Sequence, residues 1–324
     1  MADKVAAQLS IDLQNRPRLG RAGYGLMLKK DFIRNRYVYL MLVPVLLFYI
    51  LFHYVPMYGL VISFKRFVPA RGILGSEWVG FKYFTDFFNA YYFWRLIRNT
   101  ILLSVYGLFW GFPAPIILAL LINEVRSVPF KRTVQSLTYV PHFISLVVVS
   151  GLLLQFSQMD GLFNDLVAAF GGTRTAFFQD PKFFRSFYIG SDIWQQVGWG
   201  TIIYLAALSA IDPQLYEAAT IDGAGRWRKL VHITFPSVVP TIIILLILRL
   251  GRMMTVGHEK IILLYNPLIY ETSDVIATFV YRKGLLEFNW SYGTAVGLFN
   301  SIINLLLVVG ANSLSRRVNQ TSLW

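Results

Sequence analysis

Apolar residues in this chain come in long blocks rather than at short periods. Six blocks, 38–62, 99–123, 133–159, 186–211, 237–256 and 288–315, are separated by polar and basic segments. Four of them hold no Asp, Glu, Lys or Arg; the fourth block holds only Asp192, and the fifth Arg249 and Arg252. A helix needs about 20 such residues to cross a hydrocarbon core. Backbone groups in lipid must be satisfied within the segment, so the blocks predict six transmembrane helices and not strands. Pro44, Pro56, Pro113, Pro115, Pro141 and Pro240 predict kinks, which membrane helices accept. The expected fold is an all-α membrane protein. Residues 37–315 form its six-helix domain, 1–36 a basic N-terminal segment and 316–324 a C-terminal tail.

Composition points the same way. Of 324 residues, 56% are hydrophobic and 15% charged, too little charge for a soluble surface of this size. Residues 1–36 carry eight Lys or Arg and three Asp, too charged and too early for a cleaved signal peptide. With six spans both termini share a side, which carries 16 basic residues against 12 opposite. That bias predicts termini and loop 212–236 in the cytoplasm. The net charge of +13 then reflects orientation and lipid headgroups; residues 1–25, with Gly20, Gly23 and Gly25 among basic residues, would be loosely ordered or lie along the inner headgroups. No basic motif of a nucleic-acid module accompanies it.

Enzyme chemistry finds little footing. There is no cysteine, so disulfides and thiolate metal sites are excluded. His53, His142, His232 and His258 are scattered, with no two at a ligand spacing. No paired carboxylates and no Ser/His/Asp set stand out. A Walker A loop needs Gly-Lys to hold phosphates, and that dipeptide is absent. If transport is ATP-driven, ATP and Mg²⁺ belong to another polypeptide, and no cofactor is expected in this chain.

The loop between the fourth and fifth blocks reads EAATIDGAGRWRKLVHITFP. Glu217-Ala218-Ala219 is helix-forming with small side chains that allow close approach. Asp222 before Gly223 offers a cap and a change of direction, with Ala224 and Gly225 following. Arg226, Arg228 and Lys229 supply donors for acidic groups, carbonyls or lipid phosphate. Ile233 and Pro236 lead into the membrane, Pro suiting a helix start. Taken alone, Glu-Ala-Ala also fits an ordinary amphipathic loop.

The whole loop resembles the EAA loop of permease subunits of ATP-binding-cassette importers: Glu-Ala-Ala, three residues, Gly, nine residues, Ile-x-Leu-Pro. Every spacing holds, with Phe235 where Leu is usual. Further segments resemble sugar permeases of the same family: WVGFKYFTDFF (78–88), FWRLIRNT (93–100), VPFKRTVQSLTYVPHFIS (128–145) and DGLFND (160–165). LYNPLIYETSDVIATFVYRKGL (264–285) is similar to a narrower polysaccharide-type group. The resemblance covers roughly residues 35–318. It implies a type I importer permease in the bacterial inner membrane, half of a heterodimer with a second permease. Two ATPase subunits would lie below and a periplasmic solute-binding protein above. Glu217–Gly225 would then be the coupling helix, the domain would work by alternating access, and residues 257–289 would form part of the binding protein's landing surface. Overall likeness to permeases of alginate-oligosaccharide importers implies an acidic, uronate cargo; a neutral oligosaccharide is the alternative.

Candidate pathway residues come from polar and aromatic positions inside the blocks. Arg249 and Arg252 share a helix face at i, i+3. They either face a cavity, where a guanidinium would fork onto a carboxylate, or snorkel to the interface. His258, in Gly-His-Glu-Lys, stands where the narrower group more often has an aromatic. Trp194, Gln195, Gln196, Trp199 and Tyr204 in the fourth block, and Asn300 and Asn304 in the last, suit stacking on sugar rings and bonding hydroxyls. The same residue types also form interfacial belts and bridge packed helices. Gly107 and Gly111 read as a packing notch. Trp78, Phe81, Phe84, Phe87 and Phe88 suit an amphipathic segment in the outer leaflet. A secondary transporter would want acidic or His residues in the spans, which almost lack them. A membrane transferase or hydrolase would want a catalytic set that is not found.

Overall fold

The computed structural model describes residues 31–319; the expected headgroup segment 1–25 and residues 320–324 of the tail lie outside them. Two compact units are present, one ending at Leu60 and one starting at Val61. The helix Arg36–Phe64 (α1) is long and apolar enough to cross a membrane. Up to Leu60 its large apolar side chains, Met41 and Phe52 among them, are exposed, as suits a helix solvated by lipid.

The second unit holds α2 (Phe93–Glu124), the pair α3 (Val128–Phe143) and α4 (Leu146–Phe156), and α7 (Arg226–Leu250). It also holds α5 (Pro181–Ser209), α6 (Pro213–Ile221) and α8 (Trp290–Asn319). By length and composition α1, α2, α7 and α8 can each span, and α3 with α4 passes as a bent pair. The remaining expected span is α5, which has the length but is less apolar, with Asp192, Gln195 and Gln196 in its middle.

Two expectations are corrected. The kink expected at Pro141 is a full break of the third block, because α3 and α4 meet at 96°. Pro141 lies in the last turn of α3, and Ile144 and Ser145 are extended. The Ser145 hydroxyl then caps α4 by accepting from the Val148 amide at 3.3 Å, and Gln195 Nε2 donates to the Ile144 carbonyl at 3.0 Å. The break thus loses few hydrogen bonds. The fifth helix, in turn, does not begin at Pro236. It starts at Arg226 and passes through a wide π-turn, Leu230–Thr234.

That π-turn belongs to a pattern. Wide turns at Ile50–Tyr54, Gly107–Gly111 and Leu230–Thr234 each end two residues before a proline, at Pro56, Pro113 and Pro236. A proline ring clashes with the carbonyl one turn back and donates no hydrogen bond. Widening the preceding turn absorbs that misfit without ending the helix.

The loops at one end of the unit carry much of its packing. Phe87, Leu96, Met254, Phe279 and Tyr292 are buried together, as are Phe177, Phe178, Phe184, Ile261 and Leu264. Of the aromatics expected to lie in the outer leaflet, Trp78, Phe81 and Phe88 are exposed. Phe87, at 1% exposure, instead sits among Phe93, Phe279 and Phe299. Asp274 is fully buried and accepts from Arg95 Nη2 at 3.0 Å, Arg282 Nη2 at 2.8 Å and Thr278 Oγ1 at 3.0 Å. Asn99 Nδ2 donates to the carbonyls of Glu271 (2.9 Å) and Asp274 (3.0 Å). These charge-assisted bonds tie segment 257–289 to the start of α2.

Candidate functional site

The hairpin α6–α7 contains the Glu-Ala-Ala segment. Asp212 caps α6 by accepting from the Gln214 amide at 2.9 Å. The helix ends when Gly223 adopts φ +73°, and the Ala224 amide donates to the Ala219 carbonyl at 2.8 Å. Only glycine takes that left-handed turn cheaply. Asp222 follows the last residue of α6, and Gly225 precedes Arg226 at the start of α7 without a side-chain cap. Glu217, Ala218, Asp222, Gly223, Gly225 and Pro236 are exposed; Ala219, Ala224 and Ile233 are half-buried. Ile221 and Trp227 add exposed apolar area beside them.

The hairpin is fastened to the spans it joins. Tyr216 and Thr234 hydroxyls are bonded at 2.9 Å, and Lys229 Nζ donates to Thr220 Oγ1 at 2.6 Å. Arg226 Nη2 donates to the Glu124 carbonyl at 3.0 Å, with Nε 3.4 Å from the Glu124 carboxylate. These bonds link the hairpin to the ends of both α2 and α7.

At the other end of α7 lies a cavity of about 250 Å³, lined by Arg249, Arg252, Asp192, Tyr188, Ser104 and Gly107 among others. Both arginines thus face a cavity wall. Gly107 lies against the Arg249 guanidinium, where a built Cβ would sit 3.4 Å from Nη2, an ordinary contact. The Ser104 hydroxyl donates to the Met253 carbonyl. Among the described residues, no carboxylate lies within ion-pairing distance of Arg249 or Arg252. Asp192 instead lies 3.9 Å from Lys260 Nζ. Lys260 is buried, donates to the Tyr188 carbonyl at 3.3 Å and sits 5.1 Å above the Tyr188 ring. Burial lowers the Lys260 pKa and Asp192 acts against that fall. Sequence reading missed Lys260 because its partner lies on a distant helix. His258 opens the short helix His258–Leu264 and is not on the cavity wall.

The other expected pathway residues are dispersed. Asn304 Oδ1 accepts from the Met254 amide at 2.9 Å and its Nδ2 donates to Thr255 Oγ1 at 3.1 Å, so it holds the segment leaving α7. Asn300, one turn earlier, has a buried Oδ1 with no partner among the described residues. Trp199 stacks on His142 at 4.4 Å, and His142 Nδ1 lies 2.9 Å from Gln196 Oε1. Gln195 is buried at the α3–α4 break, and Tyr204 is buried with Ile116, Leu208 and Val238. Trp194 borders a different, apolar cavity of about 570 Å³ with Phe156 and Phe187.

Comparison with known proteins agrees with this architecture. Residues 111–320 match the family model of the binding-protein-dependent transport system inner membrane component. The chain is 43% identical over 304 residues to Protein LplB of Bacillus subtilis, covering 94% of this chain and 96% of that one. It is 45% identical over 293 residues to the polygalacturonan/rhamnogalacturonan transport system permease protein YteP of the same organism, covering 90% and 91%. Among solved structures, it is similar to a chain of a bacterial ABC transporter involved in the import of the acidic polysaccharide alginate. The TM-score there is 0.85 at 44% identity, covering 90% of this chain and 99% of that one. A second match, at TM-score 0.84 and 43% identity, covers 91% and 99%; it is a bacterial alginate ABC transporter in complex with an alginate pentasaccharide-bound periplasmic protein. A helical unit with a fastened Glu-Ala-Ala hairpin at one end, matched over nearly its whole length, places this chain in the family of binding-protein-dependent transport system inner membrane components.

Proposed function

We propose that the chain is the permease subunit of an ATP-driven importer of acidic oligosaccharides, working by alternating access in the bacterial inner membrane. The observation that carries the reading is the pair Arg249 and Arg252 on the wall of a span-lined cavity whose lining carboxylate, Asp192, lies 3.9 Å from Lys260 and within ion-pairing distance of neither arginine. A cation at membrane depth is costly unless water or an anion solvates it. A passing uronate would supply that anion in the fork geometry guanidinium prefers. The alginate importer structures and the polygalacturonan/rhamnogalacturonan permease, all about equally similar, support an acidic cargo.

In this reading the termini and hairpin 212–236 are cytoplasmic. Nucleotide and Mg²⁺ are held by two separate ATPase subunits. Glu217, Ala218, Ala219, Asp222, Gly223, Ala224 and Gly225 dock on them, with Ile233 and Pro236 leading the motion into α7. ATPase closure would move the hairpin, and its bonds to Glu124 and Thr234 would pass that movement to α2 and α7. The spans, paired with those of a second permease, would rock as rigid bodies and open the cavity towards a periplasmic binding protein. The permease would contribute shape and lining, while hydrolysis stays with the ATPases.

The test is reconstitution of the complete transporter in proteoliposomes, with ATP hydrolysis measured across uronate and neutral oligosaccharides. Stimulation by uronates is expected. Stimulation by neutral sugars alone would discard the acidic cargo while keeping the importer. Arg249→Gln is expected to slow uronate uptake about tenfold, the order of one charge-assisted hydrogen bond, and to spare any neutral substrate. Equal effects on both would assign Arg249 to packing.

A further inference from the structure

One face of α5 carries a second cavity whose residues the foregoing reading does not use. It measures about 480 Å³ and is lined by Lys182, Arg185, Tyr106, Trp110 and Ile189 among others. Ile189 also lines the cavity of Arg249 and Arg252, so the two cavities adjoin across one side chain. Arg185, Ile189 and Asp192 follow an i, i+4, i+7 pattern and share a helix face. The second cavity lies nearer the start of α5, and so nearer the loop end of the unit.

Its cations are poorly satisfied within the chain. Arg185 Nη2 donates to Asn99 Oδ1 at 3.0 Å, but its Nε is buried without a partner. Lys182 is exposed at the cavity wall. Among the described residues no carboxylate lies within ion-pairing distance of either one. The Asp180 carboxylate accepts from the Lys182 backbone amide at 2.9 Å and is not paired with its ammonium; Glu271 lies 4.0 Å from Arg98, Asp192 lies 3.9 Å from Lys260, and Asp274 is held by Arg95 and Arg282. A buried guanidinium N–H without an acceptor is costly, and neighbouring cations add to that cost. Tyr106 and Trp110, both exposed, supply aromatic faces beside these charges.

We propose that Lys182, Arg185, Tyr106 and Trp110 form a second carboxylate-binding subsite, passed by an acidic oligosaccharide before it meets Arg249 and Arg252. A uronate carboxylate would accept from the Arg185 guanidinium and Lys182 Nζ, while its ring packs on an aromatic face. Two adjoining cationic subsites then hold a chain at two of its sugars, so charge on successive sugars is read rather than charge on one. The inference rests on the acidic-cargo reading above.

The test uses the complete transporter in proteoliposomes with the binding protein saturated. Uptake of an alginate oligosaccharide is compared with uptake of its methyl ester. Lys182→Gln and Arg185→Gln are each expected to lower the ratio of acid to ester uptake about fivefold, and Arg185→Lys to restore part of it. Because Arg185 also holds Asn99, Lys182→Gln, which removes no hydrogen bond of its side chain, decides the matter if Arg185→Gln assembles poorly. An unchanged ratio in Lys182→Gln, with Arg249→Gln lowering it, would overturn the second subsite and leave the acidic reading intact. A wild-type transporter that takes acid and ester alike would overturn both.

Discussion

Single positions in this chain are legible by what an added or removed atom would meet. A Cβ on Gly198 would run into the Thr138 carbonyl, because α5 crosses α3 there at backbone contact. Gly198→Ala is expected to cost about 1–3 kcal/mol, the range for overpacking, and to lower the melting temperature in detergent. Gly297→Ala, with open space around it, serves as the control and should be neutral; equal melting temperatures would refute the close crossing. Asp274 is the converse case. Replacing it with Asn leaves Arg95 and Arg282 facing one another without an anion, a loss of about 3–5 kcal/mol by analogy with broken buried pairs. Protease cleavage within 257–289 should then rise, and unchanged resistance would show that the segment is held by its aromatic packing instead. Neither role was visible beforehand. Gly198 stands in an apolar block like any other glycine, and Asp274 in a polar loop like any other aspartate.

Helices and their connections were read more successfully than their ends. Block length sufficed to place them, since a membrane helix must satisfy its own backbone, but proline meant different things at different places. At Pro56, Pro113 and Pro236 the helix widened and went on, whereas near Pro141 it broke by 96°. What separates the cases is an acceptor-and-donor set waiting at the break, Ser145 and Gln195. Gln195 comes from a helix fifty residues later, outside any local window. The Glu-Ala-Ala hairpin was legible because its turn demands glycine, which Gly223 at φ +73° supplies. Gly223→Pro forbids that conformation. Glu217→Ala removes an exposed charge that no other part of the described hairpin engages. Both are expected to reduce transport about tenfold or more while the amount of inserted chain stays normal. Normal uptake in either would remove that residue from the coupling role.

The whole molecule acts in company with other subunits in the proposed reading. Purified alone it should hydrolyse no ATP. Assembled with its ATPases it should support hydrolysis that the loaded binding protein raises. Cross-linking Trp227, exposed at the hairpin, to an ATPase subunit should abolish that increase. Stimulation that survives the cross-link would mean the hairpin need not move.

Membrane class, the all-helical fold and the Glu-Ala-Ala hairpin followed from the sequence alone, because hydrophobic length and a fixed turn are local properties that each segment carries by itself. The orientation of charged side chains did not. Arg249 read as snorkelling or as cavity-facing until the packed helices were seen to put it on a cavity wall with Gly107 and Asp192. Lys260 and Arg185 carried no signal at all, since their meaning lies in which acidic groups are near and which are already taken. Those pairings are made between helices far apart in the chain, so only the packed structure decides which cations are spent on holding the fold and which are left for a ligand.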